Sequence, residues 1–248
     1  MILTVIELDA QCPLRRLDGW LHEAHDALDV RTVRAWAGEP VPGPETLGDG
    51  LVVLGGPMNA YDDDAPGLVA TRELLARTPV PTLAICLGAQ LLAVAHGGRV
   101  HVDAPPGREA GVIEVHPRPE AADDALLGPL AAHVVADHPL AGGVLALMPS
   151  MHADAVVDLP ADATWLASSR LYPYQAFRVG DRAWGLQFHP EADEDVLLTW
   201  ARLDPAVDVE VVRAQARAHD DDVRRSGRAL AHGFVRVMAD RARTPAPV

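Results

Sequence analysis

The sequence predicts an α/β protein built on a doubly wound, mostly parallel sheet, with a small antiparallel portion and extra helices at its C-terminal end. Three observations predict it. Up to Gly98, apolar runs fit for central strands alternate with helix-forming stretches, the rhythm of right-handed strand–helix–strand crossovers. From residue 99 the apolar runs are short and too closely spaced to hold crossover helices, which asks for antiparallel pairing. Beyond Asp193 the chain turns charged and helical.

Taken in order, residues 2–8 read as a first strand, 13–28 as an amphipathic helix and 31–36 as a second strand. Gly50-Leu51-Val52-Val53-Leu54 is an apolar run stopped by Gly55-Gly56-Pro57, as expected of a parallel strand buried on both faces. A helix over 66–77 leads to the strand 80–86, and helix formers over 87–96 are stopped by Gly97-Gly98. Short strands are expected over 99–102, 111–115, 144–149, 165–169, 175–180 and 183–189, as a meander packed against the main sheet. The longest helix is expected over 207–242, with 244–248 a frayed end. The division into domains follows: 1–192 as one α/β domain, and 193–248 as a helical extension packed on it, covering its core or offering a dimer interface.

Composition narrows the chemistry. The chain has 248 residues, a net charge of −14 and no lysine, so Schiff-base and phosphate-loop lysine chemistry are excluded. An acidic chain without clustered cations is a poor match for nucleic acid or an anionic membrane surface. Two cysteines make no disulfide framework, and the apolar start lacks the basic flank of a signal peptide, so a cytoplasmic setting is expected. The eleven histidines are scattered without metal-ligand spacing, so no metal and no cofactor are expected.

Cys86 falls where a buried strand turns into a helix. Unpaired N–H groups and the positive end of a helix dipole favour a thiolate there and can hold an oxyanion. A buried structural cysteine is the plainer reading. About a hundred residues later stands Gln187-Phe188-His189-Pro190-Glu191. His189 ends a strand, and Pro190 holds Glu191 extended where it can orient the imidazole; a simple turn is the alternative. Gly55-Gly56-Pro57 ends another strand, where glycine lets a backbone N–H approach a ligand. Three strand ends on one sheet edge would supply a nucleophile, a base and its orienting group, and an oxyanion site.

These motifs resemble those of class I glutamine amidotransferases: G-G-P, a cysteine elbow followed by Gly88 and Gln90, and Q-F-H-P-E. The likeness covers residues 1 to about 192, and the Cys-Leu-Gly-Ala-Gln-Leu-Leu-Ala helix is similar to the glutaminase portion of GMP synthases. The resemblance implies a flavodoxin-like amidotransferase fold. It implies Cys86 as the nucleophile that forms a γ-glutamyl thioester, His189 as general base and acid, and Glu191 as its orienting partner. Gly56 and Leu87 would supply the oxyanion hole; Gly55, Gln90 and the H-G-D-like stretch Met151, His152 and Asp154 would line the glutamine site. Two departures are Ala84 and Ala153, each standing where the family has glycine. An alanine at position 84 costs about 1 kcal/mol if its φ is positive and almost nothing if it is strand-like.

Other residues have plainer readings. Asp62-Asp63-Asp64 suits a solvated loop that caps the next helix better than a magnesium site, and Cys12 suits a partly buried bystander better than a resolving thiol. Arg108-Glu109-Ala110-Gly111 precedes a strand and resembles a family stretch near the glutamine pocket, and an ordinary ion pair suits it at least as well. The expected function is a glutaminase that passes ammonia to an acceptor or a synthetase partner. A γ-glutamyl peptide hydrolase, or a regulatory protein that has lost catalysis, remains open, as does a homodimer.

Overall fold

A computed structural model describes residues 1–131 and 144–243. In chain order it contains β1 Ile2–Glu7, α1 Arg16–Ala24, β2 Asp29–Arg34, β3 Gly50–Val53, α2 Leu68–Leu75, β4 Thr82–Ile85 and α3 Leu87–Ala95. It continues with β5 Arg99–His101, β6 Glu109–Pro117, α4 Gly128–Ala131, β7 Ala146–His152, β8 Ala155–Asp158 and β9 Ala163–Ser168. The last elements are β10 Ala176–Val179, β11 Ala183–Leu186, α5 Glu194–Leu203, α6 Val209–Ala218 and α7 Asp220–Arg243.

Nine strands make one mixed sheet in the order β2-β1-β3-β4-β11-β10-β9-β6-β7, while β5 and β8 form a separate ribbon. From β2 to β11 neighbours run parallel. From β11 to β7 they run antiparallel. The antiparallel portion therefore extends the main sheet instead of packing against it. The cause is β11: all four of its residues are buried, so it can lie inside the sheet, with Gly185 opposite Ala84 of β4 and Phe177 of β10.

Alternation along the strands sends side chains to two faces. Leu3, Val5, Val52, Leu83 and Trp184 face α1 and α7 in one core, which includes Leu230, Phe234 and Met238. Ile6, Leu51, Val53 and Ala84 face α2 and α3 in the other. A fully buried side chain such as Phe234 contributes about 3 kcal/mol of apolar transfer.

Several sequence expectations shift. The first helix is shorter than 13–28 because Arg15 enters it at φ 44° and the His25 N–H closes it on the Leu21 carbonyl. Residues 35–37 turn into a 3-10 helix, taking Trp36 out of β2. Strand β8 is not among the expected strands, and it pairs antiparallel with β5 outside the main sheet. The long helix is two: Asp208 caps α6, His219 leaves helical geometry, and the acidic turn Asp220–Asp222 starts α7 where a helix dipole favours negative charge. The apolar stripe divides accordingly, with Val212 and Ala216 packing on α5 while Leu230, Phe234 and Val235 join the main core. The aspartate run does not cap α2; Gly67 holds that position, and Asp63 instead pairs with Arg72 at 2.6 Å. Residues 244–248 lie outside the described residues.

Candidate active site

β3, β4 and β11 are adjacent and parallel, so their carboxyl ends share one edge of the sheet. That edge brings Gly55-Gly56, Cys86 and His189 together, as in open α/β sheets that bind ligands outside the carboxyl ends of their strands. Cys86 has φ 53° and ψ −110° and caps the start of α3, a strained elbow for a residue with a side chain. Its N–H is tied to the Leu186 carbonyl at 2.7 Å, which locks the elbow to β11. Gly88 lets α3 leave so sharply: an added Cβ would lie 2.4 Å from the Val53 carbonyl oxygen. Ala84 takes no positive φ, so its methyl is accommodated in β4. Ala153 likewise avoids the left-handed region.

The side chains of His189 and Cys86 meet across Gly55. A carbon added there would stand 3.2 Å from His189 Cε1 and 3.4 Å from Cys86 Cβ. His189 Nδ1 donates to Glu191 Oε1 at 2.6 Å, and both side chains are buried. Burial by itself would lower the imidazole's pKa, but the charges of Glu191 and Cys86 and the hydrogen bonds to both push it up to about 10. Trp200 closes the other side of the ring, 4.5 Å from it between centroids, with its indole N–H held by the Gln11 carbonyl at 2.9 Å. Among the described residues neither the Gly56 N–H nor the Leu87 N–H has a hydrogen-bond acceptor.

Two cavities open at Cys86. One, of about 310 Å³, runs past Gln90, Asp103, His152 and Asp154. The other, of about 260 Å³, runs past His189 and Trp200 toward Asp9 and Asp204. Arg108 and Met151 line both, and Arg108 is ion-paired with Asp204. The first cavity thus offers both signs of charge near one another, which a zwitterion needs. Gly55 lines neither; it lies behind, packed on the two side chains it separates.

Gln90 is buried, and its amide nitrogen donates to the Asp154 carbonyl at 3.0 Å and to Gln187 Oε1 at 3.2 Å. Gln187 in turn reaches the Cys86 sulfur at 3.6 Å, a contact the sequence did not announce. His152 is buried with Nδ1 2.9 Å from the Asp154 carbonyl and Nε2 3.2 Å from Glu109 Oε2. Its two ring nitrogens thus tie the Asp154 turn to Glu109 of β6. Glu109 is further held by Ser169 and Gln175, each at 2.6 Å. Burial pushes the Asp154 carboxyl above its ordinary range, against the pull of the Asp103 N–H. Cys12, expected to be a bystander, lines the second cavity, and burial raises its thiol pKa well above the usual value. Glu109, Gln187, Trp200 and Cys12 come from four separate stretches of chain; Gln187 stood in the Gln-Phe-His-Pro-Glu motif and Glu109 in the stretch 108–111.

The family model for glutamine amidotransferase class-I matches residues 28–196. The chain belongs to the class I glutamine amidotransferases. Relatives of this amidotransferase include a glutamine-hydrolysing GMP synthase of Thermomicrobium roseum, 36% identical over 144 residues, 57% of this chain and 23% of that one. Another is a single subunit of a glutamine-hydrolysing GMP synthase of Methanosarcina barkeri, 33% identical over 144 residues, 58% of this chain and 64% of that one. The chain thus spans about a quarter of the length of the first of these relatives. Among solved structures, a glutamine amidotransferase of Thermotoga maritima superposes with a TM-score of 0.75 at 22% identity, covering 95% of this chain and 98% of that one. One from Methylobacillus flagellatus gives 0.76 at 23%, covering 94% of each. The amidotransferase fold accounts for the mixed sheet. Among the described residues no helix is long and apolar enough to cross a membrane, and no group of three potential ligands could hold a metal.

Proposed function

We propose that this chain hydrolyses the side-chain amide of glutamine through a thioester on Cys86 and supplies the ammonia to an acceptor handled by a synthetase partner. The observation that carries the reading is the meeting of Cys86, the buried His189–Glu191 pair and two unpaired N–H groups at one sheet edge. His189 takes the Cys86 proton, so that the attacking group is the thiolate. Sulfur attacks the amide carbon, and the oxyanion settles on the N–H groups of Gly56 and Leu87. His189 then gives its proton to the departing nitrogen; the C–N bond breaks and ammonia leaves. Water enters, gives a proton to His189 and attacks the thioester carbonyl, and the C–S bond breaks to yield glutamate and Cys86. Glu191 keeps the imidazole oriented and stabilises its charged form.

The first cavity suits the amino-acid end of the substrate. Asp103 and Asp154 can face the α-ammonium and Arg108 the α-carboxylate, with Gln90 and His152 fixing the wall behind Asp154. Likeness to GMP synthases, one of them in the form of a single subunit, favours a synthetase as the consumer of ammonia. The test is ammonia release from glutamine by the purified chain, beside Cys86→Ala and with a γ-glutamyl electrophile that labels Cys86. Release at the same rate from Cys86→Ala would falsify the assignment.

A further inference from the structure

The second cavity is larger than ammonia requires. A water-sized molecule takes about 30 Å³ of liquid volume, whereas this space holds about 260 Å³. It also lies on a definite side of the sulfur. His189 lines it and, among the described residues, does not line the cavity past Gln90 and Asp154. The group that receives the imidazole proton is the one that leaves, so this cavity opens on the leaving-group side of the amide.

Its walls have a definite chemistry. Trp200, Leu203 and Met151 are apolar, and the indole is fixed by its bond to the Gln11 carbonyl. Of the charged groups, Asp204 is ion-paired with Arg108, which also lines the first cavity. Among the described residues the Asp9 carboxylate accepts only the Gln11 backbone N–H, at 2.8 Å, and has no cation within ion-pair distance. What remains is an apolar slot with an unmatched carboxylate. Asp9, Cys12, Trp200, Leu203 and Asp204 lie outside residues 28–196, the stretch that the family model matches.

We propose that this cavity is a leaving-group subsite and that the chain hydrolyses γ-glutamyl amides of short alkylamines ending in a positive charge, beyond glutamine itself. The proposal rests on the reading of Cys86 and His189 given above. Sulfur attacks the amide carbon, the His189 proton goes to the departing nitrogen, and the C–N bond breaks to release the diamine; water then splits the C–S bond to give glutamate and Cys86. The methylenes pack along Trp200 and Leu203, and the distal ammonium faces Asp9 and the indole.

The test compares kcat/KM for glutamine with that for γ-glutamyl amides of equal chain length bearing a neutral, a cationic or an anionic end: n-butylamine, 1,4-diaminobutane and 4-aminobutanoate. The cationic amide is expected to exceed glutamine about tenfold. It should exceed the neutral amide about fivefold, with the preference lost in Asp9→Asn. Glutamine turnover without turnover of any of the three amides overturns the subsite and leaves the glutaminase reading standing. A preference for the neutral or anionic amide overturns the charge assignment. If none of the four is turned over and the electrophile leaves Cys86 unlabelled, the subsite and the glutaminase reading both fail.

Discussion

Glu191 Oε1 accepts a 2.6 Å hydrogen bond from Nδ1 of His189, two positions before it, and neither side chain is more than 3% exposed. Glu191→Gln keeps an acceptor and removes the charge. Glutamine hydrolysis should fall by about 10²- to 10⁴-fold in kcat while the fold, read by circular dichroism, is kept. A fall of less than threefold would remove Glu191 from the relay.

The same pair sets a pH signature. His189 stands at about 10 in the folded chain, above its ordinary 6.5, because Glu191 and Cys86 outweigh its burial. A raised folded value means that the stability from protonation is whole below about pH 6.5 and is lost as pH rises through about 10. Urea midpoints measured across that range should decline in the wild type, and Glu191→Gln should move the decline to lower pH. Coincident profiles would show that Glu191 does not hold the proton.

Gly88 tests the elbow. Because an added methyl would meet the Val53 backbone carbonyl at 2.4 Å, Gly88→Ala forces β3 and α3 apart. The expected cost is about 1–3 kcal/mol, with loss of Cys86 labelling beyond what the stability change explains. A variant of wild-type stability and reactivity would show that the elbow has room.

Glu109 reaches the site only through His152. Glu109→Ala leaves the buried ring beside the Asp154 turn without its Nε2 partner and frees Ser169 and Gln175. The expected cost is about 3 kcal/mol of stability, and KM for glutamine should rise more than kcat falls. A kcat defect with unchanged KM would place the effect at Cys86 instead.

The C-terminal helices bear on the domain boundary. Phe234 of α7 is fully buried in the core that holds Leu3, Val5 and Trp184. Phe234→Ala should cost about 3–5 kcal/mol, and a chain ending at residue 192 should show no cooperative thermal transition. A cooperative transition in that shorter chain would make residues 1–192 a unit of their own.

Local chemistry made much of this legible in the sequence. The β3 and β4 runs are buried throughout and, Thr82 apart, apolar, because both faces are covered, and the glycines that end β3 and stop α3 mark sharp turns. Cys86, His189 and Glu191 stood out because each ends or follows such a run. Residues whose partners lie far off in the chain were not legible as site residues. Glu109, beside Arg108, equally suited an ordinary ion pair; Cys12, beside Pro13, suited a bystander; and Trp200 sits in a charged helical stretch. The break between α6 and α7 was hidden too, since charged helix formers run through His219 on both sides.

The sequence by itself determined the alternation of buried strands and helices, the elbow at Cys86 and the His-Pro-Glu turn, because burial patterning and turn chemistry act over a few neighbouring residues. Only the tertiary structure decided that β11 lies between β4 and β10, that His152 is held by Glu109, and that the ends of the chain wall off a second cavity beside Cys86. Those contacts join residues far apart in the chain, and no local periodicity records which distant partner a buried strand or carboxylate will meet.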